Sequence, residues 1–140
     1  MVFLTQTDTT IGFISQNATK LSQIKQRPKE KHYICAVNSL QTLTQMTRIP
    51  QAHKKRVRRS KQTTFILGHG RSYRLIHHKH HLLLLNRLKW AYTTSANLSH
   101  HPYDEQFAKE HADVIITPLE ENHHPSSILK LGKQTLKRIR

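Results

Sequence analysis

Four short polar groups in this 140-residue chain could do chemistry. The first is Thr7-Asp8-Thr9-Thr10-Ile11-Gly12-Phe13, directly after an apolar run. Hydroxyls at a strand end can hold a polar ligand from a rigid position, and a glycine admits close backbone approach. The same residues also suit a plain turn. The second is Lys25-Gln26-Arg27-Pro28-Lys29. Here a point charge and a planar donor fork stand two residues apart, held by a proline, which suits phosphate or carboxylate. A solvated basic loop is the alternative. The third is Thr93-Thr94-Ser95-Ala96-Asn97-Leu98-Ser99, a hydroxyl and amide run of the kind found in strand-end binding loops, or else a capped helix start. The fourth is Pro125-Ser126-Ser127-Ile128, followed by the basic Lys137-Arg138-Ile139-Arg140.

These groups need elements to position them. Apolar runs at 2–7, 32–37, 63–67, 72–76, 90–94 and 114–117 predict strands, and 126–131 can form another. Gly68-His69-Gly70 suits the turn between the third and fourth of these. Helices are expected at 18–25 behind Asn17, from a cap at Ser39 through Met46, from Pro50 through Arg59, and at 80–89 and 103–111. The mixture predicts an α/β fold with a twisted mixed sheet and helices packed on it, in a single domain over 1–140.

Charge narrows the ligand class. The chain carries 23 Lys and Arg against 8 Asp and Glu, a formal net charge of +15, and all the excess lies in residues 1–103. Such a surface attracts phosphate, whether of a nucleotide or of RNA, and solubility alone is the bland alternative. The run Lys54-Lys55-Arg56-Val57-Arg58-Arg59 could contact RNA phosphates or could be a solvated helix face. The single cysteine, Cys35, sits in an apolar run and reads as a buried thiol. It excludes an internal disulfide and a cysteine-built zinc site. No leader or membrane span is evident, so a cytoplasmic protein without membrane contact is expected.

Taken in order, Thr-Asp-Thr, Lys-x-Arg-Pro, Thr-Ser-Ala-Asn-x-Ser, Ala112-Asp113-Val114-Ile115 and Pro-Ser-Ser-Ile resemble the YrdC-like family over nearly the whole chain. The most specific part is Lys25, Arg27, Ser95 and Asn97. The resemblance implies a threonylcarbamoyl-AMP synthase of the TsaC type, a nucleotidyltransferase serving tRNA modification. Its substrates would be L-threonine, bicarbonate and ATP, with Mg2+, and its products threonylcarbamoyl-AMP and pyrophosphate. Partners would be proteins of the tRNA threonylcarbamoyl-transfer complex, with tRNA or double-stranded RNA as a further ligand. By the same resemblance, Lys25 and Arg27 would be catalytic and hold the carboxylate and phosphates. Ser95, Asn97 and Ser126 would hold the nucleotide, Thr7 would line the threonine pocket, and Arg74 would face phosphate.

The chain also departs from the family pattern. Gln6 stands for the usual proline, Ile11 for a tyrosine expected to touch threonine, and His100 for a glycine. The family's Trp-Pro-Gly-Pro-Leu-Thr stretch has no counterpart beyond Arg59-Ser60-Lys61-Gln62-Thr63-Thr64, and the amino-terminal helix is missing. A second reading is therefore a catalytically weakened paralogue that binds RNA or nucleotide. A third rests on twelve histidines, including His77-His78-Lys79-His80-His81, His100-His101 and His123-His124. His77 and His81 at helical i, i+4 spacing could bind a metal.

Overall fold

The computed structural model describes residues 1–120 and 124–140. Among them, nine strands form one mixed sheet in the order β7-β1-β2-β6-β3-β5-β4-β8-β9. Three pairings are parallel, β1 with β7, β3 with β5 and β4 with β8. The others are antiparallel. The expected α/β fold is thus the observed one.

The chain opens with the hairpin β1 (Phe3–Gln6) and β2 (Ile11–Ser15). Strand β2 was not expected, because its five residues are all buried and show no alternation. Helix α1 (Ala18–Lys25) follows, with the Asn17 side chain accepting from the Lys20 amide and Leu21 in the core. Strand β3 (Ile34–Val37) leads to α2 (Leu40–Met46), capped by Ser39 as expected. The helix expected from Pro50 to Arg59 is in fact two pieces. A 3-10 turn over Gln51–His53 precedes α3 (Lys54–Arg59). The break falls at His53, whose buried ring bonds the Gly132 carbonyl at 3.1 Å.

The pair β4 (Thr63–Ile66) and β5 (Ser72–Leu75) turns through the glycine loop, where Gly70 takes a φ of 87° that favours glycine. Helix α4 (Lys79–Leu88), β6 (Trp90–Ser95) and α5 (Glu105–His111) follow. Helix α5 starts at Glu105, two residues later than expected, because the Asp104 carboxylate caps the amides of Gln106 and Phe107. Strand β7 (Val114–Ile115) lies beside β1, anchored where Asp113 accepts the Val2 N–H at 2.7 Å. Strand β8 (Ser127–Leu131) confirms the last expected strand, and β9 (Leu136–Arg138) completes the edge.

Side chains alternate between sheet faces along each strand. One face carries Leu4, Phe13, Cys35, Phe65 and Tyr73, which pack with α1, α2, α3 and α5 residues such as Leu21, Leu43, Val57 and Ala108. The other face carries Ile14, Ala36 and Ala91 and is covered by Leu84 and Leu85 of α4. Helix α4 is the single helix packed there among the described residues. The uncovered part of that second face forms the floor of a cleft.

Candidate functional site

The cleft has a volume of about 310 Å3. It is lined by Thr7, Thr9 and Thr10 of the β1–β2 loop, Arg27 after α1, Arg74 of β5, Ser95 of β6, and Ser126. Five of the seven residues singled out from the sequence therefore meet here. Lys25 and Asn97 stand in the adjoining recess, which also takes in Arg27 and Ser95.

Arg74 is the hub of the floor. Its side chain is buried and all five of its N–H donors are committed. Nη1 donates to Asp8 Oδ1 at 3.1 Å and to Thr9 Oγ1 at 3.4 Å. Nη2 donates to Thr64 Oγ1 at 3.0 Å and to Ser126 Oγ at 3.1 Å. Nε donates to Thr64 Oγ1 at 3.1 Å. The register explains the meeting, since Arg74 and Thr64 are cross-strand partners of β5 and β4. The guanidinium thus positions the hydroxyls of Thr9, Thr64 and Ser126, and its donors are not free for a ligand.

The β1–β2 loop is a turn, and it also lines the cleft. Thr7 Oγ1 donates to the Thr10 carbonyl at 2.6 Å and accepts from the amides of Thr9 and Thr10. Thr7 therefore shapes the loop that presents Thr9 and Thr10. Gly12 fulfils the expectation of close approach. A Cβ there would lie 2.9 Å from both the Thr94 carbonyl oxygen and Thr7 Cγ2. Ile11 lies in the core cluster with Leu4 and Phe13, away from the cleft lining. Gln6 accepts the Glu120 amide at 2.8 Å through Oε1, a contact that proline could not make.

Lys25 is the staple of the Ser95–Asn97 loop. Its ammonium donates to the Ser95 carbonyl at 2.8 Å, the Asn97 carbonyl at 2.8 Å and Asn97 Oδ1 at 3.2 Å. Asn97 Oδ1 also accepts from Ser95 Oγ at 2.5 Å. Its amide nitrogen donates to the carbonyls of Leu98 and His101. The two most specific motifs, some seventy residues apart, are therefore one hydrogen-bonded unit. Burial, and after it the Arg27 charge, push the Lys25 pKa down from 10.5 to about 8. The unfolded chain holds that proton between pH 8 and 10.5 while the folded one releases it, so this group makes stability rise with pH across the window. In 15N spectra of the lysine ammonium groups, the Lys25 Nζ signal is expected to titrate with a midpoint near pH 8, and Arg27→Ala to move the midpoint upward. A midpoint at the ordinary 10.5 would contradict the buried, charge-opposed geometry.

Arg27 keeps donors in reserve. Its guanidinium sits 4.5 Å from the Tyr33 ring centroid and gives one bond, from Nη2 to the His32 carbonyl at 3.0 Å. Nε is buried without a partner among the described residues. Arg140, which the sequence offered only as part of a basic run with no assigned role, lines the cleft and bonds Ser126 through Nε to its carbonyl and Nη2 to its hydroxyl. It reaches the site because the β8–β9 pairing folds the basic run 137–140 back along β8, and no local signal announces that. His32 was likewise not singled out, whereas Thr93 and Thr94, from the hydroxyl run read as a strand-end binding loop, do line the cleft.

A family model described as telomere recombination, covering Sua5, YciO and YrdC, matches residues 2–140. The chain belongs to the Sua5/YciO/YrdC family. An uncharacterized protein of Mycoplasma pneumoniae is 29% identical over an alignment of 149 positions, which takes in 99% of this chain and 32% of the relative. The chain thus spans about a third of that relative's length. E. coli YciO superposes with a TM-score of 0.76 at 17% identity, over 99% of this chain and 82% of YciO. P. abyssi Sua5 complexed with L-threonine gives 0.76 at 16% identity, over 99% of this chain and 49% of Sua5. At these identities the two structures establish the YrdC-like fold, and the family model establishes membership.

The metal reading of the histidines meets a different geometry. His81 is wholly buried and His77 precedes α4, so the pair does not share an exposed helical face. Among the described residues, no group of three or more His, Cys, Asp or Glu side chains could hold a metal ion. His123 lies outside the described residues. No described helix is long and apolar enough to cross a membrane.

Proposed function

We propose that the cleft forms threonylcarbamoyl-AMP from L-threonine, bicarbonate and ATP. The observation that carries this reading is the joining of Lys25, Ser95 and Asn97 into one loop beside a cleft lined by Arg27, Arg74, Arg140 and a ring of hydroxyls. That a Sua5 protein of the same fold binds L-threonine supports the same reading. In the reaction, the threonine amine adds to bicarbonate carbon and water is lost. A carbamate oxygen then bonds the α-phosphorus of ATP, the bond to the bridging oxygen breaks, and pyrophosphate leaves with the electron pair.

Such a step needs positioning and charge neutralisation more than an acid and a base. Arg27, with donors still unspent, is the cation that would meet carboxylate or phosphate. Ser95 and Ser126 would fix the nucleotide through their hydroxyls. Lys25 holds the loop in shape, and its charge, with those of Arg74 and Arg140, lowers the energy of phosphate in the cleft. Among the described residues the lining contains no carboxylate. It fits a magnesium ion carried on the nucleotide's phosphates better than one held by a protein cage, and the ion would supply charge neutralisation at phosphorus.

The test is pyrophosphate release from ATP with threonine and bicarbonate supplied. Wild type should release it only when both are present. Lys25→Ala and Asn97→Ala should each lower the rate about 100-fold or more, the usual scale for losing one preorganised group. ATP or RNA bound without release would instead support the binding paralogue.

A further inference from the structure

A second cavity lies on the opposite face of the sheet, and the proposed reaction makes no use of it. Its volume is about 160 Å3. Tyr92, Cys35 and Tyr73 are register partners across β6, β3 and β5 and form its floor. In β3 and β5, these positions alternate with Ile34 and Arg74, which line the cleft. Strand pleating therefore sends the two sets to opposite faces. Ala18, Thr19 and Ser22 of α1 form one wall and Met46 of α2 another. Tyr33 closes an end, its hydroxyl bonded to Ser22 Oγ at 2.9 Å.

Three features define what would fit. The wall is aromatic, with three tyrosine rings and a thiol that burial pushes up to about 12 and so keeps neutral. Lys29, Lys31 and Arg71 line the cavity while remaining exposed, and among the described residues no acidic one lines it. The volume is well below the roughly 300–1,000 Å3 of pockets for drug-sized ligands, so it holds one planar ring system and leaves the rest of the ligand outside. Base rings stack on tyrosine, and lysine and arginine at a mouth hold phosphate.

We propose that this cavity is a second ligand site, which takes the base of a nucleotide between the tyrosines and holds its phosphate on Lys29 and Arg71. The ligand is either a free mononucleotide or one unpaired nucleotide of a single-stranded RNA. The site does not rest on the synthase reading, because its floor lies on the other sheet face, with His32 and Tyr33 alone among the described residues lining both cavities. Trp90, the sole tryptophan, stands edge-on to Tyr92 with ring centroids 5.3 Å apart, so its fluorescence reports on the floor.

The full chain is titrated with AMP while Trp90 emission is followed. A saturable change is expected, and it should persist in Asn97→Ala, which damages only the cleft. The exposed double variant Lys29→Glu/Arg71→Glu should weaken it at least tenfold. Thr19→Phe, an exposed α1 position grown toward the cavity, should weaken AMP as well. Inorganic phosphate alone should give no saturable change. A short single-stranded oligoadenylate binding at least tenfold tighter than AMP identifies RNA as the source, and equal affinity identifies the free nucleotide. The proposal is overturned if AMP gives no saturable signal, if phosphate reproduces it, or if Asn97→Ala abolishes it while the charge-reversed variant keeps it.

Discussion

Arg74→Met is expected to cost about 3–5 kcal/mol of folding stability, because it strands a buried carboxylate. Asp8 and Arg74 are both almost wholly buried and joined at 3.1 Å. Asp8 Oδ2 already has no partner among the described residues, so losing the guanidinium would leave both oxygens without a hydrogen bond from a side chain. Methionine keeps the length of the stem, so the loss is mainly electrostatic and not a cavity. Thr64 and Ser126 also lose the donors that hold them. Arg74→Lys should recover only part, since one ammonium cannot reach Asp8, Thr64 and Ser126 in fork geometry. Adding Asp8→Asn to Arg74→Met should restore part of the stability, because the unpaired charge is then gone. Urea unfolding with a free fit of ΔG and slope measures all four chains. A loss below about 1 kcal/mol for Arg74→Met would mean that the pair behaves as a surface bridge.

The second large effect is acid sensitivity at His81. Its ring is wholly buried and neither nitrogen has a partner among the described residues. Burial, then the charge of Arg74, then His78 push its pKa from 6.5 down to about 3. Between these values the unfolded chain binds a proton that the folded chain refuses. Stability from this group is therefore complete above pH 6.5 and is lost as pH falls toward 3. From neutral pH to pH 4 the loss comes to about 3 kcal/mol, from about 1.4 kcal/mol per pH unit below 6.5. His81→Leu should fold with similar stability at pH 7 and lack this part of the pH slope, since other titrations cancel between the two chains. Equal slopes for the two would show that the imidazole is protonated or hydrated in the folded state.

Both effects belong to residues whose surroundings the sequence does not display. His81 sits in a histidine-rich run, and its i, i+4 partner suggested a metal. The buried face of α4 claims it instead, along with Leu84 and Leu85. Periodicity places a residue on a helix face, but it does not say which face the sheet will cover. Arg74 looked like a phosphate contact, and packing spends all of its donors within the protein. Strand β2 was hidden because a strand buried on both faces lacks the period-2 signal.

What the sequence determined by itself is the local and the chemical. Asn17 and Ser39 cap α1 and α2 as expected, the glycine loop joins β4 to β5, and the excess of positive charge follows from residue type. The order of the polar motifs was enough to mark the family. Each of these depends on neighbours in the chain or on residue type alone. Only the tertiary structure decided that Lys25 would clasp Ser95 and Asn97, seventy residues away, that Arg140 would return to Ser126, and that Tyr33, Tyr73 and Tyr92 would enclose a second cavity. These meetings follow from strand order and register. Register is set by which faces the whole sheet can bury, a global balance that no short stretch of sequence contains.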